Sequence, residues 1–184
     1  MKYKTLHDSE HLYFLSSCIV NHKIIFTDKE LAMLILESLS WFRKNGFYKL
    51  YAFCLMPNHL HFLIKLLKKD TVIEEIAGNF HKFTGHKIIE ILKRNRDSRL
   101  LKYFAEHAKR KNDRNYLIWD DTVARNIFDE EVLKETVEYI HNNPRNKSWN
   151  LVCDRADYPY SSACFYDRGV MPLIEIDDVR EILV

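Results

Sequence analysis

The stretch YKLYAFCLM-PN-HLHFLIKL, residues 48 to 66, decides the fold: two apolar, aromatic-rich runs flank the pair Pro57-Asn58. Proline presets φ and asparagine accepts tight-turn geometry, so the spacing predicts a β-hairpin with strands Tyr48 to Met56 and His59 to Leu66. Upstream, HLYFLSSCIV (11–20) reads as another strand and HKIIF (22–26) as a short extended piece. Between them and the hairpin, Leu31, Leu34, Ile35, Leu39 and Phe42 recur at helical spacing behind an N-cap at Thr27 or Asp28. That pattern predicts a helix over 29–44, with Gly46 at its C-terminal cap. Downstream, Ile73, Ile76, Ala77, Phe80, Phe83, Thr84 and Ile88 predict a second long helix from about 71 to 93. Residues 94–114 are basic and partly helical around 100–108, and Tyr116 to Trp119 reads as a last strand. Asp129 caps a third helix that runs to about Asn143 and stops before Pro144. The order strand, helix, strand, strand, helix, strand, helix predicts an α+β fold: a ferredoxin-like antiparallel sheet with helices packed on one face.

At 184 residues, 47% of them hydrophobic, the chain suits one domain over 1–184, with a C-terminal tail from about 168. Four glycines and four prolines imply long regular elements with few tight turns. No apolar run approaches the roughly 20 residues of a membrane span, and the first residues lack a signal-type apolar segment. Cys18, Cys54, Cys153 and Cys164 form no C-x-x-C pair, which argues for reduced thiols and a cytoplasmic protein. The formal net charge of +2 hides an asymmetry. Eleven Lys/Arg stand against four Asp/Glu between His81 and Arg114, a local +7 that leaves −5 for the rest. Such a concentration suits a surface that meets phosphates, although it also suits a solvated helical face.

Two constellations carry chemistry. In His59-Leu60-His61, both imidazoles project from the same side of a strand and Leu60 from the other, toward the core. Side by side on a rigid strand they can hold one divalent cation with positions left open; the same pattern can equally hold one structural and one exposed histidine. Tyr139 and Asn143, four apart, share one side of the third helix. Val132, Leu133, Val137 and Ile140 mark that helix's buried stripe, and Tyr139 falls at its flank, ring supported and hydroxyl free to reach a cleft. A flanking tyrosine is also a common packing residue. Taken together, the histidines would place a cation beside a scissile phosphate and Tyr139 would attack it.

LMPNHLHFLIK (55–65), EYIHNNP (138–144) and DYPYSSA (157–163) resemble the single-tyrosine HUH transposases, in the branch associated with repetitive extragenic palindromes. The likeness runs from about Tyr13 to Asp167. It implies His59, His61 and Asn143 as metal ligands, Tyr139 as nucleophile, Mg²⁺ or Mn²⁺ as cofactor, and single-stranded DNA beside a hairpin as substrate. Cleavage would leave a 5′-phosphotyrosine and a 3′-OH, reversibly. Lys82, Lys87 and Arg94 are candidate phosphate contacts on charge alone. Trp119 and Arg125 sit where the family carries a W-Q segment and nearby basic residues, but here Asp120-Asp121 follow the tryptophan. After Pro144 the chain reads Arg145-Asn146-Lys147-Ser148 in place of the family's V-K/R-x-G turn. The likeness is to a longer branch that looks able to work as a monomer, so the resemblance implies a monomer, with a homodimer as the alternative. The competing reading is a non-catalytic nucleic-acid-binding module on the same fold.

Overall fold

In the computed structural model, which describes residues 12–68, 71–108, 115–120 and 122–182, the hairpin lies where Pro57-Asn58 puts it. Strand β1 (Leu12–Cys18) leads to helix α1 (Lys29–Lys44), then β2 (Tyr48–Met56) and β3 (His59–Leu66). Helices α2 (Ile73–Arg94) and α3 (Ser98–Ala108) precede β4 (Val123–Ile127), α4 (Glu130–Asn142) and a short α5 (Ala163–Arg168). The four strands form one antiparallel sheet in the order β2-β3-β1-β4, the arrangement expected of a ferredoxin-like α+β fold. The caps follow the sequence: Asp28 accepts the amides of Glu30 and Leu31, and Asp129 those of Glu131 and Val132. Residues 109–114, where the basic stretch ends, and Asp121 lie outside the described residues.

The helices divide between the two faces of the sheet. One core joins Leu31, Ile35 and Leu39 of α1 and Ile76, Phe80 and Ile88 of α2 to Tyr13, Leu15, Leu60, Phe62 and Ile64 of the sheet. The other joins Leu133, Val137 and Ile140 of α4 to Ala52, Cys54, Met56 and Leu63. The two long helices therefore share one face, as the βαββαβ order requires, and α4 adds a layer on the other. A β-bulge between Leu50 and Ala52 adjusts β2 to this double duty. Tyr48 and Leu50 point to the first core; after the bulge, Phe53 and Leu55 do, and Cys54 and Met56 serve the second.

Three local expectations are corrected. The fourth strand is Val123–Ile127, not Tyr116 to Trp119. Leu117, Ile118 and Trp119 are all buried, so they do not alternate; Trp119 is wedged between Phe26 and Phe80, its indole N–H donates to Thr84 Oγ1 at 2.9 Å, and it makes only an isolated bridge to Ile19. HKIIF is extended only in part: its first residue, His22, belongs to a 3-10 turn over Val20–His22, Lys23 is extended, and the amides of Ile25 and Phe26 both donate to Pro57 O, each at 3.0 Å. The buried stripe of α4 starts at Leu133, since Val132 is 39% exposed.

Strand β2 is a sheet edge, and the chain's own C-terminal third closes it. Leu55 N donates to Tyr160 O (2.8 Å), Tyr158 Oη to Leu55 O (2.9 Å) and Tyr166 Oη to Tyr51 O (2.7 Å). Ser162 meets Phe53 three times, its N–H and its Oγ both donating to Phe53 O (3.0 and 3.3 Å) and its Oγ accepting from Phe53 N (2.9 Å). The stretch after Arg168, expected as a tail, returns to the same edge: Asp177 accepts from Leu50 N at 2.9 Å and pairs with Arg43 at 2.8 Å. Arg155 then grips Glu138 of α4 and Asp167 of α5 together. An edge occupied in this way cannot recruit a foreign strand.

Ser162 Oγ also lies 2.8 Å from Nε2 of His141, which is wholly buried in α4. Ser162→Ala leaves the Phe53 amide and the imidazole without that partner, so it should destabilise the protein by about 1–3 kcal/mol. A urea midpoint unchanged from the wild type would show that the edge is held without it.

Candidate active site

Strand alternation sends His59 and His61 to the face that α4 covers, while Leu60 is fully buried in the opposite core. The two imidazole centroids are 4.7 Å apart. His61, only 4% exposed, is held between two rings: it stacks on Phe14 of β1 at 5.5 Å and meets Tyr139 of α4 edge-on at 5.2 Å. Phe14 and Tyr139 also touch each other, at 5.9 Å. Tyr139 precedes the buried Ile140, so its ring leans on the sheet while the residue stays 54% exposed. Asn143, at the C-terminal cap of α4, is buried and donates from Nδ2 to Tyr139 O at 2.8 Å. The indole of Trp149 stands 6.1 Å from His59.

Both imidazoles are held as free bases. Burial, with a smaller push from His22, lowers His59 from 6.5 to about 4, against an opposing hydrogen bond with Asn143. Burial and the neighbouring His59 lower His61 to about 3. A ligand to a cation must be deprotonated, so this environment prepares the pair for that use without further cost near neutral pH. His59 Nδ1 lies 2.6 Å from Asn58 Oδ1, whereas His61 Nδ1 is buried with no hydrogen-bond partner. Two imidazole nitrogens and one amide oxygen make a small, open donor set that suits a divalent cation retaining water or substrate oxygens. Among the described residues no cluster of three His, Cys, Asp or Glu is present.

The remaining candidates fall in two places. Arg125 is exposed on β4, in register with Phe14, and directly opposed residues project to one face, so it lies on the side of the histidines and Tyr139. Lys82, Lys87 and Arg94 ride on α2, in the layer beyond the sheet; Lys87 pairs with Glu90 at 2.7 Å and Arg94 with Glu30. Trp119 is a core residue stacked on His81 at 4.8 Å, not part of an open loop. Sequence reasoning missed Phe14, Asn58 and Trp149. Phe14 alone carried a signal, since the alternation of β1 puts it on the face of its partner Leu63.

No family model matches the chain, and no curated protein does. Among solved structures, the fold is similar to that of a REP-associated tyrosine transposase bound to a REP hairpin. The TM-score is 0.63 over 97% of this chain and 93% of that one, at 17% sequence identity, a likeness of fold. No helix among the described residues is long and apolar enough to cross a membrane.

Burial also lowers His141 to about 4, with Arg155 adding to the effect. Three histidines thus resist protonation in the folded state but titrate near 6.5 when unfolded. Between those values the unfolded chain binds more protons, so stability is full above about 6.5 and falls as pH drops toward 4. Denaturation midpoints of metal-free protein should therefore drop from pH 7 to pH 5, and less steeply in His141→Gln. A flat profile over that range would contradict the neutral state of these rings.

Proposed function

We propose that this chain is a metal-dependent endonuclease and strand transferase of the transposase type, acting on single-stranded DNA beside hairpins. The observation that carries the reading is the convergence of Tyr139 on the pair His59 and His61, with its ring 5.2 Å from His61, although the two segments lie far apart in sequence. The shared fold of a REP-associated tyrosine transposase, itself solved with a REP hairpin, supports the choice of substrate class. His59, His61 and Asn143 hold the divalent ion, Mg²⁺ or Mn²⁺. When bound, it supplies charge stabilisation to the phosphorane-like transition state and helps to lower the barrier to attack by a weak phenol nucleophile.

The chain's own residues do the rest. Phe14 and His61 flank the Tyr139 ring and fix its approach. The phenol oxygen forms a bond to phosphorus as the bond from phosphorus to the 3′ oxygen breaks. The phenol's proton leaves to solvent and the departing 3′ oxygen takes one up. The products are a 5′-phosphotyrosine and a 3′-OH, with no oxidant, reductant or net hydrolysis. Because the phosphodiester energy is kept in the covalent link, a 3′-OH can reverse the step and join strands. Arg125, on the same face, contacts the nearby backbone phosphates. Lys82, Lys87 and Arg94 serve the flank of a longer DNA that reaches the α2 layer. Closure of the β2 edge by residues 158–177 is compatible with a monomer.

The test is a covalent-adduct assay with labelled hairpin-bearing single strands and Mn²⁺. A denaturation-resistant protein–DNA band is expected, lost with chelator, in Tyr139→Phe and in His59→Ala. Removing the nucleophile should cost on the order of 10³-fold or more. Arg125→Ala should weaken DNA binding while leaving the adduct chemistry in place. An adduct that survives Tyr139→Phe would displace the nucleophile. DNA binding with no adduct on any hairpin tried would favour the non-catalytic module instead.

A further inference from the structure

Asn58 sits at the hinge of the hairpin turn and is 7% exposed. Its backbone is pinned from two sides. Ile19 N donates to Asn58 O at 2.9 Å, and Pro57 O before it receives the amides of Ile25 and Phe26. From this fixed base the side chain makes two contacts: Nδ2 with His22 O at 2.9 Å, and Oδ1 with His59 Nδ1 at 2.6 Å. A backbone carbonyl can only accept, so the contact with His22 O settles which end of the amide is nitrogen. The oxygen must then face His59, and an amide oxygen can only accept. His59 Nδ1 must therefore carry a proton.

We infer that Asn58 is a positioning residue: it holds His59 in the tautomer protonated on Nδ1 and so presents a bare Nε2 to a cation. In a neutral imidazole one nitrogen donates and the other accepts, and the partner of the first decides the role of the second. His59 has two amide neighbours: Asn58, which meets Nδ1 at 2.6 Å, and Asn143, whose hydrogen bond also favours the protonated ring and which, as the proposed third ligand, would share the cation with Nε2; His61 is positioned by the rings of Phe14 and Tyr139 instead. The carbonyl that sets the amide is itself held in place. Asn21 and His22 both take left-handed backbone conformations, with φ of 52° and 51°, that residues with side chains seldom adopt. The turn is kept there by Asn21 N donating to Asp120 Oδ2 (3.3 Å), by Asn21 Nδ2 against His107 Nε2 of α3 (2.8 Å), and by His22 N donating to Ile19 O (2.8 Å). A chain of contacts thus runs from α3 through the strained turn and Asn58 to His59.

The inference rests on the reading of His59 as a metal ligand, but its first test needs neither metal nor DNA. Histidine-labelled full-length protein, metal-free at neutral pH, is examined by long-range proton–nitrogen correlation, with the His59 signals assigned by their loss in His59→Gln. The wild type should show His59 protonated on Nδ1. Asn58→Asp, which still accepts from Nδ1 but cannot donate to His22 O, should keep that tautomer. Asn58→Leu should release it to a mixture and weaken Mn²⁺ binding roughly 10–100-fold, read from free-ion paramagnetic resonance, with most of the loss restored in Asn58→Asp. A wild-type His59 protonated on Nε2 overturns the inference whether or not the leucine variant folds. So does a folded Asn58→Leu protein with unchanged tautomer and Mn²⁺ affinity. Failure of the adduct assay in wild-type protein would instead overturn the proposed function and leave the tautomer result standing.

Discussion

Burial of β3 on both faces is the constraint from which the site follows. A strand sends successive side chains to opposite sides, so once Leu60, Phe62 and Ile64 are committed to the core under α1 and α2, His59 and His61 have no choice of face. A slip of one residue would trade the imidazoles for leucine and phenylalanine. The register that prevents it is set from both flanks, by β1 along the whole of β3 and by β2 through the tight Pro57-Asn58 turn. The second face would be an ordinary solvent face were it not for α4. That helix converts it into an interior layer whose margin holds the histidines, and partial desolvation there keeps them uncharged.

Placing α4 is the task of residues far from the chemistry. Leu133, Val137 and Ile140 supply the apolar contact, but direction comes from polar ties: Asp129 at the start, and in the last turn His141 against Ser162 and Asn143 folded back on Tyr139 O. Ser162 belongs to the segment that seals β2, so the helix of Tyr139 is keyed to an edge strand through one hydroxyl. Arg155 adds an outer clamp from Glu138 to Asp167. The same contacts thus protect the sheet and orient the phenol.

Much of this was legible in the sequence because it depends on local spacing. The hairpin, the shared face of His59 and His61, both helix caps and the flanking position of Tyr139 are matters of periodicity and turn chemistry. What could not be read depends on tertiary choice. A buried run such as Leu117-Ile118-Trp119 lacks the alternation that separates strand from core filler, so the fourth strand was misplaced by several residues. The stripe of α4 shows that the helix has an apolar side but not which face of the sheet receives it. Asn58 looks like a turn residue in sequence, and only the nearness of His22 O and His59 gives it a second role. The basic residues of α2 are conspicuous by charge, yet charge says nothing of layer, and they stand across the sheet from the histidines.

The separation of the histidine pair from Tyr139 along the chain has a consequence for biosynthesis. A growing polypeptide carries both imidazoles well before the phenol has been made, and Ser162, whose hydroxyl ties α4 to the edge of β2, is made later still. Because synthesis runs from the N-terminus, a truncated or stalled product would have the two histidines without Tyr139. Under the proposed function, strand cleavage would therefore wait for the last part of the chain to be made.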